Sequence, residues 1–175
     1  AVNYEYTGDL ITKVIMNDEE GNTVENLQYS GGKLVATNIT SVEKSGYYTA
    51  TTNFTYSYNS DGTVSFKKTY SYKRKIDTAP STYNSEGIYT MKNGQVVKIV
   101  EKNNTYGSTY TTTRTHDTKN GIFKNIKGFA SAALGFEEFI AASLSVTQNN
   151  YTTINTKADY TANDSGNNFT YEYNA

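Results

Sequence analysis

Aromatic and β-branched residues alternate with polar ones through much of the chain. The longest such run, residues 47–58, places Tyr48, Ala50, Thr52, Phe54, Tyr56 and Tyr58 on one side and Thr49, Thr51, Asn53, Thr55 and Ser57 on the other. A period of two is the spacing of a strand with unlike faces. The pattern returns over 63–74, after Ser60-Asp61-Gly62. A three-residue loop there sets Asn59 opposite Thr63, Tyr58 opposite Val64 and Tyr56 opposite Phe66, with Gly62 in the left-handed closing position. Val64, Phe66, Tyr70 and Tyr72 then join the aromatic side, while Lys67, Thr69, Ser71 and Lys73 join the polar one. A slip of one residue sets Tyr56 against Ser65 and mixes the faces, so the pattern selects the register. Lys68 is the discordant residue, a cation on the aromatic side.

The same hairpin signal occurs four times: Tyr6 with Gly8 and Leu10, Tyr29 with Gly32 and Leu34, Tyr58 with Gly62 and Val64, and Tyr89 with Gly94 and Val96. Asn93-Gly94 is the strongest short-range turn signal of the set. Strands are predicted over 4–6, 10–16, 23–29, 34–42, 47–58, 63–74, 87–91, 95–101 and 108–116, with a break at 75–81 around Pro80, the single proline. Near Ile122 the period changes. Phe129, Ala132, Ala133, Phe136, Phe139 and Ile140 recur at steps of three and four, which predicts one amphipathic helix within 128–142. A helix this short is marginal alone in water and must lay its stripe on the sheet. Strands over 144–160 and 168–173, joined near 163–166, complete the chain. The expected fold is all-β, one domain over 1–175. It is an antiparallel meander of about 9–11 strands, curled or closed into a soluble barrel-like sheet, with the aromatic face inside and the helix filling its opening.

Composition sharpens this picture. Among 175 residues there are 17 Tyr and 7 Phe, a content suited to pleated surfaces. A formal charge of −1, with Lys67, Lys68, Lys73, Arg74 and Lys75 as the densest basic cluster, offers no footprint for a phosphate backbone, so nucleic acid is not an expected partner. Alternation divides those cations between two faces. The absence of cysteine excludes disulfides, thiol catalysis and Cys-ligated zinc. No apolar run approaches the ~20 residues of a membrane helix. Strands of this length suffice for an outer-membrane barrel, but its lipid face would then carry Lys68, at a cost of about 2–4 kcal/mol near the midplane.

Candidate chemistry is sparse. His116-Asp117 is the one acid–base neighbour pair, and in a strand the two point to opposite faces. Glu137 and Glu138 diverge by about 100° on a helix, poor geometry for acting on one bond. The oxygens of Asp18, Glu19, Glu20 and Asn22 would attract calcium, but their order departs from an EF-hand loop. No catalytic residue, metal site or cofactor is expected. Tyrosines hold the main ambiguity, because a row of them builds either a core or a set of flat amphipathic platforms for sugars and peptides. Tyr56, Tyr58, Tyr70 and Tyr72 share a face with Phe54, Val64 and Phe66 and are expected in the core. Tyr106, Tyr110 and Tyr151 stand in more polar surroundings and are the candidate ligand-binding residues.

Two resemblances bear on function. The hairpins over 4–14, 27–39, 56–68 and 88–100 resemble the tyrosine-rich YD repeats of Rhs-type surface proteins. The last third carries Asn120-Gly121-Ile122-Phe123-Lys124-Asn125-Ile126, a helix, a polar strand with Asn149 and Asn150, and a closing Phe169-Thr170-Tyr171-Glu172-Tyr173-Asn174. It is similar to a Bacteroidetes family of uncharacterised secreted proteins with a porin-like fold, in which an Asn-Pro-Phe-Lys-Asn stretch stands where Gly121 and Ile122 lie here. That resemblance implies an extracytoplasmic place at the cell surface or periplasm, commonly through an upstream lipoprotein signal outside these residues, and no catalytic site. Asp77-Thr78-Ala79 resembles the short O-glycosylation acceptor of that phylum, but three residues recur easily by chance and an ordinary polar loop before Pro80 is the better reading. The expected function is a non-enzymatic surface binding or adhesion module, with a glycan or another surface protein as partner. The alternatives are a purely structural repeat-like module, an outer-membrane barrel, or an enzyme.

Overall fold

The structure, a computed structural model, describes residues 1–120, 126–139, 149–159 and 165–168. Eleven strands follow one another: β1 (Val2–Thr7), β2 (Leu10–Asn17), β3 (Gly21–Ser30), β4 (Lys33–Glu43), β5 (Tyr48–Tyr58), β6 (Val64–Arg74), β7 (Ser81–Lys92), β8 (Gln95–Asn103), β9 (Thr109–Asn120), β10 (Asn149–Ala158) and β11 (Ser165–Asn168), with helix α1 (Phe129–Phe139) between β9 and β10. They form one antiparallel sheet in which spatial order equals chain order. Each strand pairs with its sequence neighbours, the arrangement that short hairpin loops produce. Among the described residues β1 and β11 stand at the two ends of that order and do not pair with each other.

The long hairpin has the register its pattern selects. Tyr58 faces Val64, Tyr56 faces Phe66, the Asn59 amide donates to the Thr63 carbonyl at 2.9 Å, and Gly62 closes the loop at φ +83°. Asn93 and Gly94 both have positive φ, 53° and 75°, as a two-residue turn of type I′ requires.

Helix α1 lies on the aromatic side of the sheet, against β2, β3 and β4, and that side is the inner face. Its Phe129, Ala132, Leu134 and Phe136 are buried with Ile11, Val14, Leu27, Leu34, Ile39, Phe54, Tyr56, Val64, Phe66, Tyr89 and Val96 in one core. Phe66 sits 4.6 Å from the Tyr89 ring and 5.9 Å from Phe54, centroid to centroid. Full burial of side chains of this size contributes about 1.5–3 kcal/mol each, which holds the helix in place. Its start is pressed to the first hairpin, where a Cβ on Gly128 would lie 2.4 Å from the Asp9 carbonyl oxygen, and Lys127 pairs with the Asp9 carboxylate at 2.7 Å.

The largest differences from the expected boundaries lie at β7, β9 and β11. β7 begins at Ser81 rather than 87, because pairing with β6 holds its polar first half: Tyr72 faces Ser81, Tyr70 faces Tyr83, and the Ser71 and Thr82 hydroxyls meet at 2.6 Å. β9 runs on to Asn120 through pairing with β10. The described helix ends at Phe139, and residues 140–148, onto which the expected helix end and the expected start of the strand over 144–160 both fall, lie outside the described residues. β11 takes Ser165 and Gly166 into the sheet opposite Thr156 and Asn155, where a turn was expected, and 169–173 lie outside the described residues. In each described case a neighbouring strand overrides a weak local pattern.

Candidate functional site

The inner face divides into two parts. Beside α1 it is closed and mainly apolar. Away from α1, where β5 to β8 cross it, the side chains are tyrosines and small polar groups, and the face opens into a cavity of about 530 Å³.

Pairing builds the tyrosine row. Tyr70 faces Tyr83 across β6 and β7, and Tyr72 lies two positions along from Tyr70 on the same side. Ring centroids stand 5.7 Å apart for Tyr48 and Tyr72, 6.0 Å for Tyr72 and Tyr83 with planes within 5°, and 5.7 Å for Tyr83 and Tyr106. Tyr70 adjoins both Tyr72 and Tyr83, at 5.9 and 6.2 Å, and its hydroxyl meets that of Tyr48. Burial, then the Tyr48 contact, pushes the Tyr70 phenol above its usual range. Tyr106 closes the row from the β8–β9 loop. Its amide and that of Thr105 donate to Asn103 Oδ1 at 3.1 and 2.9 Å, and Gly107 turns the chain at φ +75°. That turn sets Tyr106 beside Tyr83 while leaving it 69% exposed.

The polar floor is equally ordered. Lys68 reaches Glu101 at 3.8 Å and sits 5.5 Å over the Phe54 ring, and the Ser85 hydroxyl donates to Glu101 Oε1 at 2.5 Å. The Lys68 and Glu101 side chains are 18% and 25% exposed, so the pair is more than a surface contact. The residue that broke the aromatic pattern is thus neutralised inside the cavity. Gly87 makes the neighbouring floor possible, since a Cβ there would lie 2.6 Å from the Phe66 ring, which covers it instead.

A second polar group lies under the helix. Glu25 is fully buried, neither carboxylate oxygen has a hydrogen-bond partner among the described residues, and burial pushes its carboxyl up to about 8. Gly135 of α1 leaves it room, for a Cβ there would stand 2.7 Å from Glu25 Oε1.

The sequence-predicted tyrosines separate in space. Tyr106 lines the cavity. Tyr110 faces Glu101 across β8 and β9, is half-buried, and stands outside the cavity lining. Tyr151 pairs through its backbone with His116, and its side chain lies outside the described residues. Along β9 the partners of these two pairs, Tyr110 and His116, are about 20 Å apart. Tyr70 and Tyr72, expected in the core, are half-buried cavity walls, because the core that includes α1 takes in Val64 and Phe66 at the other end of the same strand. Tyr58, also expected there, is 39% exposed at the hairpin end, with Lys33 Nζ 4.8 Å over its ring. Tyr56 is a core residue, and its hydroxyl donates to the Leu134 carbonyl at 3.4 Å. Tyr83 was missed. Its signal is the alternation Tyr83, Ser85, Gly87, Tyr89, hidden by the small residues between the aromatics.

The other candidates resolve simply. Asp18 Oδ1 accepts from the Glu20 and Gly21 amides, both at 2.9 Å, so the acidic loop is a self-capped turn. Arg74 and Asp77 form a forked ion pair, with 2.8 Å as its shortest contact, which orders the loop before Pro80. The side chains of Asp117, Glu137 and Glu138 lie outside the described residues.

No protein-family model matches the chain. No curated protein matches it. Among solved structures it is similar to the crystal structure of a porin-like protein from Bacteroides vulgatus, at 15% sequence identity and a TM-score of 0.58, over 99% of this chain and 75% of that one. The likeness is one of fold: this antiparallel meander, with one short helix among its described residues, shares the fold of that porin-like protein.

Proposed function

We propose that the chain is a non-catalytic, extracytoplasmic binding module of a bacterial envelope, and that its tyrosine-lined cavity takes a glycan. The observation that carries this reading is the open row Tyr48, Tyr72, Tyr83 and Tyr106 beside the polar groups Ser85, Glu101 and Asn103. Flat amphipathic rings suit the C–H faces of a sugar, and small polar side chains suit its hydroxyls. Lys68 and Glu101 are spent on each other, which leaves neither placed as a free acid or base and supports binding without chemistry. Likeness in fold to a porin-like protein of a Bacteroides species supports an envelope setting. In this reading, attachment to a membrane comes from an upstream lipid anchor, and no strand crosses the bilayer.

A glycan and cell-wall-fragment screen with a Tyr83→Ala, Tyr106→Ala variant beside the parent tests the reading. Saturable binding that the folded variant loses is the expected result. A Tyr110→Ala, Tyr151→Ala variant tests whether the site extends onto β9 and β10. A second reading, a structural module akin to YD repeats, draws on the four glycine-closed hairpins, whose Gly8, Gly32, Gly62 and Gly94 all have positive φ. Failure of the parent to bind any polysaccharide would favour it.

A further inference from the structure

The cavity continues past Tyr70. Beyond the cross-strand pair of Thr52 and Tyr70 lies a second cavity of about 290 Å³, walled by Met16, Thr23, Ile39, Ser41, Tyr48 and Ala50. Thr52 and Tyr70 line both. Both open on the inner face, so together they form one trough running across the strands from β2 to β8. In the sheet order that is six interstrand steps, about 29 Å for a flat sheet. The surface repeats along it: the Thr23 and Ser41 hydroxyls paired at 3.0 Å, the joined Tyr48 and Tyr70 hydroxyls, then the Tyr72 and Tyr83 rings above Ser85. Among the described residues lining that path the charged side chains are Lys68 and Glu101, which face each other as an ion pair.

From this geometry we infer that the ligand is an uncharged polysaccharide chain lying across the strands and contacting several sugar rings at once. The inference rests on the glycan reading above and adds length and charge to it. A single ring occupies one cavity and leaves the other empty, whereas a linear chain meets aromatic faces and hydroxyls in succession. An acidic sugar would draw Lys68 from Glu101 and leave that partly buried carboxylate unpaired, a costly exchange.

Calorimetric titration of the parent protein with uncharged gluco-, xylo- and manno-oligosaccharides, from the monosaccharide to the heptasaccharide, tests this, with oligogalacturonides of matched length beside them. Affinity in one neutral series is expected to rise roughly a hundredfold from the monosaccharide to the hexasaccharide, as successive rings gain aromatic contacts. A Thr23→Ala, Ser41→Ala variant, which alters the smaller cavity alone, is expected to weaken the hexasaccharide about tenfold and leave the disaccharide unchanged. A monosaccharide that binds as tightly as the hexasaccharide, or an oligogalacturonide that outbinds every neutral chain of its length, would overturn the inference and leave the glycan reading standing. Absence of binding by every sugar in the panel would overturn both.

Discussion

Glu25 shows how one residue can set the pH response of the whole domain. It faces Val14 on β2 and Ile39 on β4, and α1 packs over it, so its charged form would be buried with no hydrogen-bond donor among the described residues. Tyr29, two residue pairs along β3, is the neighbouring titratable group. Its phenol is pushed upward, first by burial and then by Glu25. With a folded value near 8 against the ordinary 4.5, the folded chain keeps a proton that the unfolded chain has lost. Stability is therefore full below about pH 4.5 and falls as pH rises towards and through 8, by at most on the order of 5 kcal/mol. Urea midpoints between pH 5 and 8 are expected to fall for the parent and to stay nearly level for Glu25→Gln. A parent curve as flat as that of the variant would show that Glu25 does not titrate in this range. The residue pattern of β3 shows a carboxylate on the inner face, as it shows Lys68 on that of β6. Which of them is sealed and which is paired depends on where α1 lies and on Glu101, two strands away.

At the level of elements, the hairpins were legible because their information is local. Tyr58, Gly62 and Val64 fall within seven residues, and alternation on either side permits one register. The first half of β7 was illegible for the opposite reason. Ser81, Thr82, Asn84 and Ser85 carry no apolar alternation, and their strand exists through hydrogen bonds to β6, including that of Thr69 to Asn84 at 2.9 Å. Gly87 marks where β7 depends on its partner most closely. A methyl group there would meet the Val100 carbonyl oxygen at 2.3 Å and the Phe66 ring at 2.6 Å. Gly87→Ala is expected to cost about 1–3 kcal/mol, the usual penalty of overpacking. Thermal melts are the check. A loss below about 0.5 kcal/mol, the range of an ordinary surface substitution, would mean that Phe66 swings aside without cost.

For the whole molecule, the decisive arrangement is which face points where. The inner face carries the aromatics and α1, while the outer face of β5 to β7 carries Thr51, Asn53, Thr55, Lys67, Thr69, Ser71, Asn84 and Glu86. A transmembrane barrel has the reverse arrangement, an outward apolar band. The purified domain is therefore expected to remain unbound in flotation with phosphatidylcholine vesicles. Flotation with the lipid, in a form that resists extraction by carbonate, would restore the membrane-barrel reading. Composition and period alone determined the class, the meander and the position of the helix, because each follows from contacts between chain neighbours. The ligand trough was decided by tertiary structure. Tyr48, Tyr72, Tyr83 and Tyr106 belong to three strands and a loop, and α1, by packing with the Tyr56, Phe66 and Tyr89 end of the inner face and not with the Tyr48, Tyr72 and Tyr83 end, turns some tyrosines into core and others into a site. Alternation reports which face a side chain takes, but what covers that face is a long-range property that no local pattern encodes.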